Sequence, residues 1–152
     1  MKNVRTEETP PHLTNKFQAI YKVGFSRYPL LILFYTGTGI PEDCIPMKRS
    51  PAAPIGFPFG EDFAARYAEA ISLNESVHDG AVLFGRSKTS ERYRCMGWSC
   101  RIASRFQPQD AEPNRGSAYN SAISISGLAD IDCVFLLTAG GVESFINGAL
   151  SS

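Results

Sequence analysis

Asp79-Gly80-Ala81-Val82-Leu83-Phe84-Gly85 is the stretch on which the fold turns. An acid and a glycine lead into a short apolar block, Ala81 to Gly85, which reads as a buried strand. Upstream, Glu61 to Leu73 predicts a helix. Phe63, Tyr67, Ala70 and Ile71 fall on one face, and Glu61 and Asp62 sit near its positive N-terminal end. Asn74 to His78 breaks that helix. Downstream, Ser87 to Ser90 is a polar turn and Tyr93 to Ile102 a second strand, so the two strands predict a hairpin.

Working outward, His12 to Phe25 carries Phe17, Ile20 and Tyr21 at helical spacing. Pro29 precedes an apolar strand, Leu30 to Tyr35, and Gly37-Thr38-Gly39 ends it. That glycine pair lacks the spacing of a dinucleotide loop and reads as a turn. From Pro41 to Gly60 five prolines predict a long connector with no regular element. Gln107 to Arg115 reads as a polar loop. Ser117 to Ser126 reads as a helix with Ser117 as its N-cap and Ala118, Ala122 and Ile125 on one face. Cys133 to Thr138 is almost wholly apolar, as a strand covered on both faces would be. After Gly140-Gly141, Val142 to Ile146 returns as an alternating strand. The expectation is an α/β (α+β layered) fold with a central mixed sheet flanked by helices. Residues 1–60 form an N-terminal extension and 61–152 the core, within one compact domain.

Composition narrows the classes. A chain of 152 residues fits one domain and buries roughly 68–70% of its unfolded surface. Lys plus Arg number 15, as do Asp plus Glu, so no broad positive field favours nucleic acid. Cys44, Cys95, Cys100 and Cys133 form no C-x-x-C pair, and two histidines are too few for an ordinary zinc site. Met1 to Pro11 lacks the apolar core of a signal peptide, and Leu30 to Tyr35 is too short to span a bilayer. The expectation is a cytoplasmic protein without membrane or general nucleic-acid partners.

Three features carry chemistry. Asp79 can hold a divalent metal or accept from a sugar hydroxyl, and Gly80 lets a planar base approach the backbone. Gly116-Ser117 opens a helix, where backbone N–H groups favour phosphate, with Arg115 adjacent. Alone, each reads more readily as a turn or an ordinary cap. His78-Asp79 is a poor base-and-orienter pair, because neighbours on a strand point to opposite faces.

The order and spacing of these pieces resemble the diadenylate cyclase domain of the DisA N-terminal type, over roughly Phe63 to Leu150. Asp79-Gly80-Ala81 matches that family's Asp-Gly-Ala in full. Gly116-Ser117 stands for its Gly-Thr, and Ala122-Ile123-Ser124-Ile125-Ser126 matches its helix. Val134 to Leu137 gives its apolar strand and Asn147-Gly148 its closing turn. Gly97-Trp98-Ser99-Cys100-Arg101-Ile102 looks like the second strand of a subgroup with divergent N-terminal extensions.

Two motifs depart. Ala118-Tyr119-Asn120 replaces the family's Arg-His-Arg, and Thr138-Ala139 replaces its Ser-Glu. A hydrogen bond to a charged group contributes about 1.5–3 kcal/mol. Losing two arginine–phosphate contacts therefore costs on the order of 3–6 kcal/mol, or two to four decades in affinity or rate. The resemblance thus implies an adenine nucleotide or cyclic dinucleotide site of a sensor or weak enzyme. Asp79 would contact ribose or metal, Gly80 and Ala81 the base, and Arg115, Gly116, Ser117, Asn120 and Thr138 the remaining ligand. In intact members magnesium or manganese assists two ATP molecules to condense into cyclic di-AMP across a homodimer. An active cyclase and a catalytically dead partner-binding module are the alternatives.

Overall fold

Residues 9–103 and 116–151 are described by a computed structural model, with backbone alone at 116 and 117. The central strand is β1 (Leu30–Thr36), from the segment expected to form an extension. It follows α1 (Pro10–Val23), which begins two residues before the expected start because a proline is tolerated at the first helical positions. After β1 come β2 (Cys44–Pro46), α2 (Phe63–Leu73) and a single 3-10 turn (Glu75–His78). The hairpin strands β3 (Ala81–Arg86) and β4 (Arg94–Ile102) follow. The chain ends with α3 (Gly116–Ser126), β5 (Ile131–Thr138), β6 (Gly141–Ile146) and β7 (Ala149–Leu150).

The seven strands form one mixed sheet in the order β2-β4-β3-β1-β5-β6-β7. β1 and β3 are parallel, with Ile32 opposite Val82 and Tyr35 opposite Gly85. The other neighbours are antiparallel. This is the mixed sheet with covering helices that the apolar blocks predict.

Strand alternation divides the core. Ile32, Phe34, Val82, Phe84, Cys133 and Phe135 pack with α1 and α2 on one face. Leu33, Tyr35, Leu83, Val134 and Leu136 pack with α3 on the other. The first face is filled with rings: Phe34 lies within 5.9 Å of the ring centres of Phe17, Phe59, Phe84, Tyr93 and Phe135. All four cysteines are buried free thiols, and burial pushes Cys44, Cys95 and Cys100 up to about 12.

One local reading needs correction. The connector does hold a regular element, since Cys44–Pro46 pairs with β4 from Cys100 to Ile102. Proline costs least on an edge strand, where one side of the ladder needs no donor. Asn147-Gly148 does form a turn, as expected: both residues take positive φ (54° and 79°) and turn β6 into β7. Asn-Gly is the preferred pair for such a tight turn. The predicted loop ending at Arg115 lies outside the described residues.

Candidate functional site

Asp79 does not open a strand. It caps the 3-10 turn, and β3 begins only at Ala81. The turn is pinned from β4: the buried Ser99 hydroxyl donates to the Val77 carbonyl at 2.9 Å and accepts from Arg49 Nε at 3.2 Å. Asp79 is left with its side chain 74% exposed, and Arg49 approaches its carboxylate at 3.8 Å. At that exposure the pair stabilises the fold little. Its consequence is local: the acid faces a cation.

Gly80 is required for a reason other than room for a ligand. Its φ is +91°, and an added Cβ would stand 2.7 Å from the Ser99 carbonyl carbon and 2.8 Å from the Cys100 oxygen. The β4 backbone occupies the space that a side chain would need. This close approach accompanies a register shift between β3 and β4 and a positive φ at Ser99.

A cleft of about 440 Å³ opens above these residues. Asp79, Gly80 and Ala81 form one wall, and Ala118 and Ser121 from the first turns of α3 form another. Leu31, Met47 and Ile102 supply apolar floor and rim, and Arg101 supplies a cation. The sheet thus brings the Asp-Gly-Ala segment and the start of α3 to one place, because β3 begins at the end of the sheet where α3 also begins.

His78 lines the same cleft. Since it lies in the 3-10 turn, the strand argument against its working beside Asp79 does not apply. Tyr67, whose hydroxyl burial pushes up to about 12, shares a hydrogen bond with His78 Nδ1 at 2.5 Å. Burial, with the nearby Arg27 cation, holds His78 below its usual range despite the opposing effect of Asp79. The ring is therefore neutral near pH 7.

Other expected residues lie elsewhere. Asn120 is on α3 but not on the cleft lining. Thr138 ends β5, and its hydroxyl accepts from the Gly140 N–H at 3.1 Å within the β5–β6 turn. Tyr119, the middle residue of the Arg-His-Arg replacement, is buried and packs edge-on against Phe145 at 5.3 Å. Arg115 and the side chain of Ser117 lie outside the described residues. Sequence reasoning missed Arg49, Arg101 and Met47. Only Arg101 had a signal, as a charge at the end of an otherwise buried strand.

The residues present do not make a metal site by themselves. Asp79 is the one acid on the described lining, and Arg49 faces it. Among the described residues no cluster of three or more His, Cys, Asp or Glu side chains could hold a metal ion. Nor is any described helix long and apolar enough to cross a membrane.

The mixed seven-stranded sheet with its three described helices is an α+β fold. It is similar to DacA from Staphylococcus aureus, solved as a double mutant: TM-score 0.56, 17% identity, 93% of this chain and 87% of that one. It is also similar to a hypothetical membrane-spanning protein from Bacillus cereus: TM-score 0.62, 15% identity, 91% of this chain. This chain spans 59% of the length of that Bacillus protein. No protein-family model matches the chain, and no curated protein matches it.

Proposed function

We propose that this chain is a degenerate diadenylate-cyclase-like domain that binds an adenine nucleotide or cyclic dinucleotide as a sensor, with little or no turnover. One observation carries the reading: Asp79-Gly80-Ala81 and the first turns of α3 line a single cleft of about 440 Å³, within the size range of small-ligand sites. Asp79 would accept from a ribose hydroxyl, as its exposure permits. Leu31, Met47 and Ile102 would lie against the base, and the opening of α3 would face phosphate. Arg101 on the lining, and Arg49 beside Asp79, would offset part of the missing Arg-His-Arg.

Binding is favoured over catalysis by Tyr119. Its ring is in the core, so the central position of the catalytic trio has become a packing residue. Metal-assisted condensation lacks support as well, because the single acid faces Arg49. Face-to-face pairing of two copies belongs to the same proposal, each copy supplying one nucleotide site.

The test is a thermal-shift and calorimetric panel of ATP, cyclic di-AMP and cyclic di-GMP, with and without manganese, together with a product assay. Saturable stabilisation by an adenine ligand, independent of manganese and without cyclic di-AMP formation, is the expected result. A ligand at a hundred times its Kd adds about 2.7 kcal/mol. Silence across the panel would leave a structural module, and product formation would restore the active cyclase.

A further inference from the structure

A second cleft, of about 390 Å³, opens at the other end of β3. It lies beyond the C-terminal ends of the parallel pair β1 and β3, six β3 residues from the first, or about 20 Å at the ~3.3 Å rise of a strand. Its chemistry is unlike that of the first. Arg86, Arg92 and Arg94 line it together with a single acid, Glu91. In a chain with formal net charge +0, this concentrates positive charge in one concavity.

The guanidinium groups are held in place. Arg86 Nε donates to Thr36 Oγ1 at 2.9 Å, and its guanidinium carbon stands 4.1 Å from the Tyr93 ring centre. Arg92 donates to the Phe59 carbonyl and Arg94 to the Gly56 carbonyl, each at 3.1 Å. Each of these contacts uses one N–H of the five on a guanidinium. Carbonyl anchoring fixes Arg92 and Arg94 without neutralising them, so their charge remains to be met from the cleft, whereas Arg86 is paired with the Asp132 carboxylate at 3.8 Å. Glu91 is turned back to accept from the Ser87 N–H at 3.0 Å.

The independent observation is Tyr35. It lines this cleft and is 1% exposed, yet its hydroxyl has no hydrogen-bond partner among the described residues. Its ring lies so close over Gly85, another lining residue, that an added Cβ would stand 2.3 Å from it. A buried unpartnered hydroxyl is costly. Burial also pushes Tyr35 up to about 12, so the group is a proton donor throughout the neutral range. Gly37 and Gly39 border open space, with nothing within 4 Å of where their side chains would start.

We propose that this second cleft is an anion site for a phosphate-bearing small molecule, with Arg92 and Arg94 meeting the phosphate and the Tyr35 hydroxyl donating from below. Arg86, held by Asp132 and Thr36, forms a fixed wall of the cleft. The site is separate from the proposed nucleotide cleft and does not depend on that reading.

The experiment uses the full chain and inorganic pyrophosphate, followed by thermal shift and calorimetry against sodium chloride of matched ionic strength. Saturable stabilisation is expected. The double variant Arg92→Gln/Arg94→Gln should bind pyrophosphate at least about a hundredfold more weakly, at roughly tenfold for each lost charged hydrogen bond. Tyr35→Phe removes no described hydrogen bond, so it should fold as the parent does and bind several-fold more weakly. The proposal is overturned by stabilisation no larger than chloride gives. It is equally overturned if binding survives in the arginine double variant, which would place the anion elsewhere, or survives undiminished in Tyr35→Phe.

Discussion

The two faces of the sheet are built differently. The face under α1 and α2 is sealed by interlocking rings, with Phe34 at the centre of five of them. The opposite face is aliphatic, and α3 covers only part of it, packing on β5, β6 and β7. Both clefts described above open along the β3–β4 half of the sheet. One face supplies stability, and the other has room for ligands. A fold can lose catalytic side chains from the second face without loosening the first.

The sharpest way to break this contrast is to delete one ring from each face. Phe34→Ala and Phe145→Ala both remove fully buried rings, a change that costs about 3–5 kcal/mol. Phe34→Ala should fall at the upper end and Phe145→Ala at the lower, because an aromatic pair adds about 0.5–1.5 kcal/mol beyond its buried area. Equal losses in urea unfolding would show that ring density does not set the difference.

Next in size is Gly80→Ala. The contact at 2.7 Å is with backbone, which cannot swing aside, so overpacking should cost about 1–3 kcal/mol. Strain at φ +91° adds to that. Denaturation should also report a displaced 3-10 turn, as weaker ligand binding than the parent. Asp79→Asn isolates that binding effect. Since its side chain is 74% exposed, the melting curve of the free protein should stay within about 0.5 kcal/mol of the parent. Affinity for the adenine ligand should fall about tenfold.

The smallest effect concerns pH. His78 in the folded chain is held below its ordinary value of 6.5, so the unfolded chain takes up this proton first as pH falls. Stability from this group is complete above about 6.5 and declines below it, levelling off once pH has passed the lowered folded value. Melting points between pH 7.5 and 5.0 should fall less steeply in His78→Gln than in the parent.

The sequence makes some of this contrast legible. Apolar blocks at Leu30, Ala81 and Cys133 predict central strands because strands covered on both faces must be apolar throughout. The Asp79-Gly80-Ala81 and Gly116-Ser117 segments point to one end of the sheet because both stand at element starts. What fails is what depends on long-range pairing. Cys44–Pro46 becomes a strand only because β4 lies beside it. The need for glycine at position 80 comes from residues nineteen and twenty places onward, Ser99 and Cys100. Arg49 reaches Asp79 from inside the proline-rich segment, and no local pattern encodes that approach. The arginines of the second cleft are spread over one turn and two strand ends, and only the closed hairpin gathers them.

The sheet terminates at both sides in very short strands: three residues at β2, one of them Pro46, and two at β7. Such blunt borders offer few unpaired amides to a neighbouring chain, which protects against edgewise stacking and fibre growth. Two molecules of this protein would therefore associate through loops or broad surfaces rather than by prolonging one ladder across both. Any signalling assembly would inherit that geometry, with subunits free to separate without unzipping a backbone.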